Sequence, residues 1–189
     1  MILISKTYWL GLPFNYKGGL PAGVSVKPLL LKSEDMRELT GLCYEPVEHT
    51  RQNIAVLVMH PRADFSRHYC IPALLEAGIA CLGLNTRCLN NDATAIHEDL
   101  ILDVNAGVRF MKQCGYENVV LFGNSGGASL FSLFQSQARL PKGERISTTP
   151  GGDRTRLNVV DMVPADGLAV VSGHPGEGHV MSSIIDPAV

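Results

Sequence analysis

Asn118-Val119-Val120-Leu121-Phe122-Gly123-Asn124-Ser125-Gly126-Gly127-Ala128-Ser129-Leu130 is the stretch whose reading decides the fold. Val119 to Phe122 is an uninterrupted apolar run, as expected of a strand covered on both faces, and Ala128, Leu130 and Phe131 open a helical pattern. Between them stands G-x-S-x-G, Gly123 to Gly127, at a strand-to-helix junction. A serine on a sharp turn there projects its hydroxyl above the sheet, and the flanking glycines let backbones approach closely. The reading that follows makes Ser125 a nucleophile, with the Gly126 N–H, at the start of the next helix, facing a developing oxyanion. The plainer reading is a tight Gly-rich turn with no chemistry.

Working outward, Ile54–Met59, Ile79–Leu84 and Leu168–Val171 are further apolar strand candidates. Ile96, Leu100, Ile101, Val104, Val108 and Met111 recur at helical spacing, which predicts a helix from about Ala95 to Cys114. Glu98 and Asp99 lie in its first turn, Lys112 in its last, and Gly115 stands as its stop. A helix between Ser66, as cap, and Ala77 is interrupted by Pro72, so it is either kinked or starts late. Val26–Leu31 and Arg37–Tyr44, separated by Lys32-Ser33-Glu34-Asp35, suit an antiparallel hairpin. Residues 1–24 read as an irregular lead-in and 45–53 as a polar loop. Residues 139–166 form a long connection without sustained period, a type that is usually functional or mobile. The alternation of strand and helix predicts an α/β fold, a mostly parallel doubly wound sheet in one domain, with the hairpin as an antiparallel edge. Ligands bind such sheets outside the carboxyl ends of the strands, here His60–Asp64, Asn85–Arg87, Gly123–Gly127 and Gly173–Gly178.

Composition narrows the functional classes. The chain has 189 residues, 46% hydrophobic and 18% charged, which suits one compact domain. A net charge of −2 with interspersed signs leaves no basic stripe for phosphates, so nucleic acid is not an expected partner. No apolar run approaches the ~20 residues of a membrane span, and the start lacks the form of a secretory signal, so the cytoplasm is the expected location. Five cysteines without a C-x-x-C pair match neither a metal site nor a disulfide framework, and no cofactor or metal is implied.

The serine turn, the His60-Pro61 pair after a strand and the Asn85-Thr86-Arg87 turn after the next strand resemble the α/β-hydrolase family over roughly Val26 to the end of the chain. The resemblance implies a serine esterase or thioesterase acting on a small-molecule ester. His60-Pro61 stands where the family usually has His-Gly, and Asn85 stands where it has Asp. Proline has no N–H to donate, so the second oxyanion donor is expected to be the backbone N–H of Arg62. His60, Asn124 and His174 are the candidates for substrate contact, with a bracing or surface role as the plainer reading of His60, His174 and His179; Arg87 reads more readily as a loop brace than as a substrate clamp. The family's triad runs serine, acid, histidine. After Ser125, Asp153, Asp161 and Asp166 precede His174 and His179, which leaves an Asp-then-His pairing formally open, and only Asp186 follows. The expectation is an amino-terminal portion, apparently truncated after strand six, with the acid and the base beyond Val189 and activity impaired. A non-catalytic binding protein of the same fold, and an enzyme completed by a second subunit, are the alternatives; oligomeric state is not legible.

Overall fold

The computed structural model describes residues 19–46, 53–91 and 93–173. Most of the expected lead-in, residues 47–52 of the polar loop, and His174, His179 and Asp186 lie outside the described residues. Six strands, β1 (Ser25–Lys32), β2 (Glu38–Glu45), β3 (Ile54–Val58), β4 (Ala80–Leu84), β5 (Asn118–Asn124) and β6 (Gly167–Val171), alternate from β3 onward with helices α1 (Cys70–Glu76), α2 (His97–Gln113) and α3 (Gly126–Ala138). They form one sheet in the order β1-β2-β4-β3-β5-β6. β1 and β2 are antiparallel and β2 runs antiparallel to β4, while β4, β3, β5 and β6 are mutually parallel.

The apolar runs form strands because both of their faces are covered. On one face Leu57, Leu82 and Leu121 meet Leu100, Val104 and Val108 of α2 and Phe131 of α3. On the other, Val56, Val58 and Cys81 meet Ile71 and Leu75 of α1. α2 ends as its sequence predicts. Gly115 takes a φ of 95°, which allows the Tyr116 N–H to return to the Met111 carbonyl at 3.2 Å.

One expectation needs correction. Ser66 does not cap α1, which starts late at Cys70 behind Tyr69 with no side-chain cap. The Ser66 N–H donates to Asp64 Oδ1 at 2.9 Å and its carbonyl accepts the Tyr44 hydroxyl at 2.8 Å, so the residue is spent tying the loop to β2. Pro72 then falls in the first turn, where a helix needs no N–H. The connection 139–166 is aperiodic yet held throughout. The Gln135 side chain binds both the N–H (3.0 Å) and the carbonyl (2.7 Å) of Ala165. Asn105, fully buried, takes the Val163 N–H and gives to the Asp161 carbonyl, each at 2.9 Å. Arg145 reaches the carbonyls of Leu140, Leu157 and Val160. Leu157 and Met162 are buried in the core beneath it.

The expected hairpin is clamped to the body by Arg87. Its guanidinium binds Asp103 Oδ1 at 2.6 Å and Asp35 Oδ1 at 2.8 Å, and its own N–H reaches Asp103 Oδ2 at 2.8 Å. Arg87 is therefore the loop brace of the plainer reading, joining the β1–β2 turn to α2.

Candidate active site

The end of β5 presents Ser125 at the surface, and the chain turns there into α3. Ser125 adopts φ 54° and ψ −126°, a conformation that L-residues avoid unless their surroundings impose it. The restraints are visible. The Ser125 N–H donates to the Val171 carbonyl of β6 at 3.0 Å, and its carbonyl accepts the Ala128 N–H at 3.0 Å. The glycines serve contact. A Cβ on Gly127 would lie 2.4 Å from the Met59 carbonyl oxygen, and one on Gly123 would lie 2.7 Å from Ala128 Cα. Only a pair without side chains lets α3 start this close to the end of β3 and to β5. Because the strain falls on Ser125, Ser125→Gly is expected to be more stable than Ser125→Ala by about 1 kcal/mol, as read by urea denaturation. Equal stability would mean that the turn is relaxed.

Gly126 opens α3, where backbone N–H groups have no partner in the helix. His60 and Pro61 close over it, for a Cβ on Gly126 would meet His60 Nε2 at 2.9 Å and Pro61 Cδ at 3.3 Å. His60 is buried, and its Nδ1 accepts the N–H groups of Arg62 (3.2 Å) and Ala63 (3.0 Å). That arrangement places a neutral ring's proton on Nε2. Arg62 was expected to turn its N–H toward an oxyanion; in this structure that N–H faces the His60 ring, because the loop folds back on the imidazole. The loop is pinned from β4 as well. The Thr86 hydroxyl donates to the Pro61 carbonyl at 2.7 Å, the Asn90 N–H to the Arg62 carbonyl at 2.7 Å, and Asn85 Oδ1 accepts the Phe65 N–H at 3.1 Å. Asn85, where an aspartate was the family pattern, is buried and meets this N–H as a neutral amide.

Asn124 uses its side chain within the protein. Its Nδ2 donates to the Val171 carbonyl and its Oδ1 faces His68 Nε2, each at 3.3 Å. It therefore ties the turn to β6 and to His68. His68 was not singled out in the sequence, since it belongs to no motif and its partner lies 56 positions away. Burial lowers its pKa to about 4. The ring stays neutral as the pH falls through the ordinary histidine range, where the unfolded chain takes up the proton, so this group's contribution to stability declines from about pH 6.5 toward 4.

Of the acids weighed for a triad, Asp166 accepts the Val119 N–H and Lys112 Nζ, each at 2.7 Å, at the amino end of β5 and so at the opposite end of the sheet from Ser125. Asp161 pairs with Lys142 at 2.7 Å, and Asp153 lies exposed at the tip of the long connection. Among the described residues no group of three or more His, Cys, Asp or Glu could hold a metal ion, and no helix is long and apolar enough to cross a membrane. All five cysteines are free.

No protein-family model matches this chain, and no curated protein matches it in sequence. Solved structures do match. Esterase B from Lactobacillus rhamnosis, inhibited by a tributyrin phosphonate, aligns with a TM-score of 0.56 and 20% identity over 82% of this chain and 50% of its own. Brefeldin A esterase, a bacterial homologue of human hormone-sensitive lipase, aligns with a TM-score of 0.52 and 20% identity over 71% of this chain and 39% of its own. The chain thus spans half or less of the length of these esterases. What it shares with them over the aligned part is the path of the backbone, and with its own mostly parallel sheet wound on both faces the chain has the α/β-hydrolase fold.

Proposed function

We propose that this chain is a serine hydrolase acting on a carboxylic ester or thioester through an acyl-enzyme on Ser125. The observation that carries the reading is the backbone of Ser125, a non-glycine residue held at positive φ and exposed at the carboxyl end of a central strand. Strain of that kind persists where a side chain must be aimed. The similarity in fold to esterase B and brefeldin A esterase supports the same class of substrate. In the mechanism, Ser125 Oγ attacks the carbonyl carbon as a histidine base takes its proton, and the tetrahedral oxyanion forms beside the Gly126 N–H. The leaving alcohol or thiol receives that proton, and water then hydrolyses the acyl-enzyme. The Arg62 N–H joins as second donor when the oxyanion draws it from His60 Nδ1. His60, with its proton on Nε2, and His68, enclosed beneath Asn124, do not suit the base; His174 or a histidine outside this chain does. Substrate contact by His174 belongs to the same proposal. The free thiols suit a reducing compartment such as the cytoplasm.

The test is labelling with a fluorophosphonate followed by peptide mass spectrometry. A phosphonyl adduct on Ser125, absent in Ser125→Ala, is the expected result. An unlabelled, folded chain would leave the ligand-binding reading in its place.

A further inference from the structure

His68 belongs to none of the motifs above, yet it is the histidine that touches the side chain preceding the nucleophile. Its ring is 1% exposed. It stands against Phe65 and Tyr69, with centroids 4.6 and 4.1 Å away, and Phe122 of β5 is 5.7 Å off. A polar ring in such surroundings costs stability unless its nitrogens are satisfied. Both are. Nδ1 accepts the Cys70 N–H at 3.3 Å, with the Cys70 thiol 3.1 Å from the same atom. The proton therefore sits on Nε2, which donates to Asn124 Oδ1. Asn124 Nδ2 donates in turn to the Val171 carbonyl, the acceptor of the Ser125 N–H. A short relay thus joins the start of α1, the residue before the nucleophile and the end of β6.

Resting on the serine-hydrolase reading, we infer that His68 is a positioning residue, which acts through Asn124 to hold Ser125 in its positive-φ conformation and so to aim the hydroxyl. A residue at φ 54° relaxes toward commoner conformations unless its neighbours over-determine it. The Val171 and Ala128 contacts fix the two peptide groups of Ser125. The Asn124 side chain grips the same Val171 carbonyl that accepts the Ser125 N–H, and it holds its orientation only while Oδ1 has a buried donor to face. Without that donor the amide turns, the Val171 carbonyl loses one of two bonds, and the hydroxyl wanders.

The test is fluorophosphonate labelling of the full chain, resolved into maximal rate and apparent affinity. His68→Phe keeps the ring and removes both nitrogens. Its maximal rate is expected to fall about tenfold or more, with affinity unchanged, as a misaimed nucleophile requires. His68→Gln, whose amide can still donate to Asn124, should recover most of the rate. His68→Phe combined with Asn124→Leu should be no slower than either alone, since both cut one relay. A folded His68→Phe labelled at the wild-type rate, or additive losses in the double variant, overturns the inference. An unlabelled wild type overturns the hydrolase reading instead, and ¹⁵N NMR of the wild-type imidazole then judges the relay by itself. A neutral, Nε2-protonated ring whose signals move in Asn124→Leu supports it; an Nδ1-protonated ring, or one titrating near the ordinary value of about 6.5, overturns it.

Discussion

Arg87→Met is expected to lower the unfolding free energy by about 3–5 kcal/mol, the usual cost of breaking a buried ion pair from one side. The Asp103 side chain is fully buried and that of Asp35 is 12% exposed, so removing the guanidinium strands two carboxylates away from water. In the native chain burial pushes Asp35 up, but hydrogen bonds from Arg87 and Ser33 outweigh it and hold the carboxyl below its ordinary range. A depressed carboxylate stabilises the fold above its unfolded pKa, and the contribution is lost as the pH falls below about 4. In Arg87→Met the sign reverses. That reversal is Asp35's; Asp103, which burial already holds above its ordinary range in the native chain, moves further up, so the variant should gain more stability than the native chain between pH 7 and 5. Urea denaturation at the two pH values reads both effects, and a loss under 1 kcal/mol at pH 7 would show that the clamp is ornamental. Arg87→Lys should not restore it, because an ammonium cannot serve both carboxylates in the plane of the fork.

Gly127→Ala is expected to cost about 3 kcal/mol and to slow labelling of Ser125 by about a hundredfold. The new methyl would meet the Met59 carbonyl oxygen at 2.4 Å, a main-chain atom just past the end of the central strand β3, so no side chain can swing aside. Relief requires the first turn of α3 to back away, carrying with it the Gly126 N–H and Ser125. Gly143→Ala is the matched control, because nothing lies within 4 Å of a Cβ there. It should stay within about 0.5 kcal/mol of the native chain and label normally. If Gly127→Ala behaved like Gly143→Ala, the close approach of α3 and β3 would have no part in building the turn.

The parts of the fold legible in the sequence were those whose cause is local. Ile54–Val58, Ala80–Leu84 and Val119–Phe122 are apolar throughout because helices cover both faces, and α2 displays its buried stripe and its stop glycine. Ser125 was legible because its turn demands glycines at fixed offsets. The aperiodic connection looked loose because its order comes from Asn105, Gln135, Gln137 and Arg145, polar side chains that read main chain and leave no period behind. Ser66 looked like a cap because position and residue type were right, while Asp64 and Tyr44 claimed its backbone in space. Pro61, which has no N–H, points to Arg62 as a donor, and no local pattern reveals that the loop turns the Arg62 N–H toward the imidazole. His68 was illegible because a buried histidine announces itself only through its neighbours.

The clasped connection also matters for how the molecule tolerates change. Its ends are gripped by side chains of α2 and α3, while its middle rises into a small hairpin closed by the Thr148–Arg154 bridge and by bonds between Thr149 and Asp153. Gly151 and Gly152 crown that hairpin in solvent, and a Cβ at Gly152 would touch nothing. The Asn105 and Gln135 clasps stand between this tip and β6, whose Val171 carbonyl supports Ser125. The peptide between Gly151 and Gly152 is thus a natural port for grafting an epitope, a fluorophore tag or a whole guest domain, insulated from the turn that carries the serine.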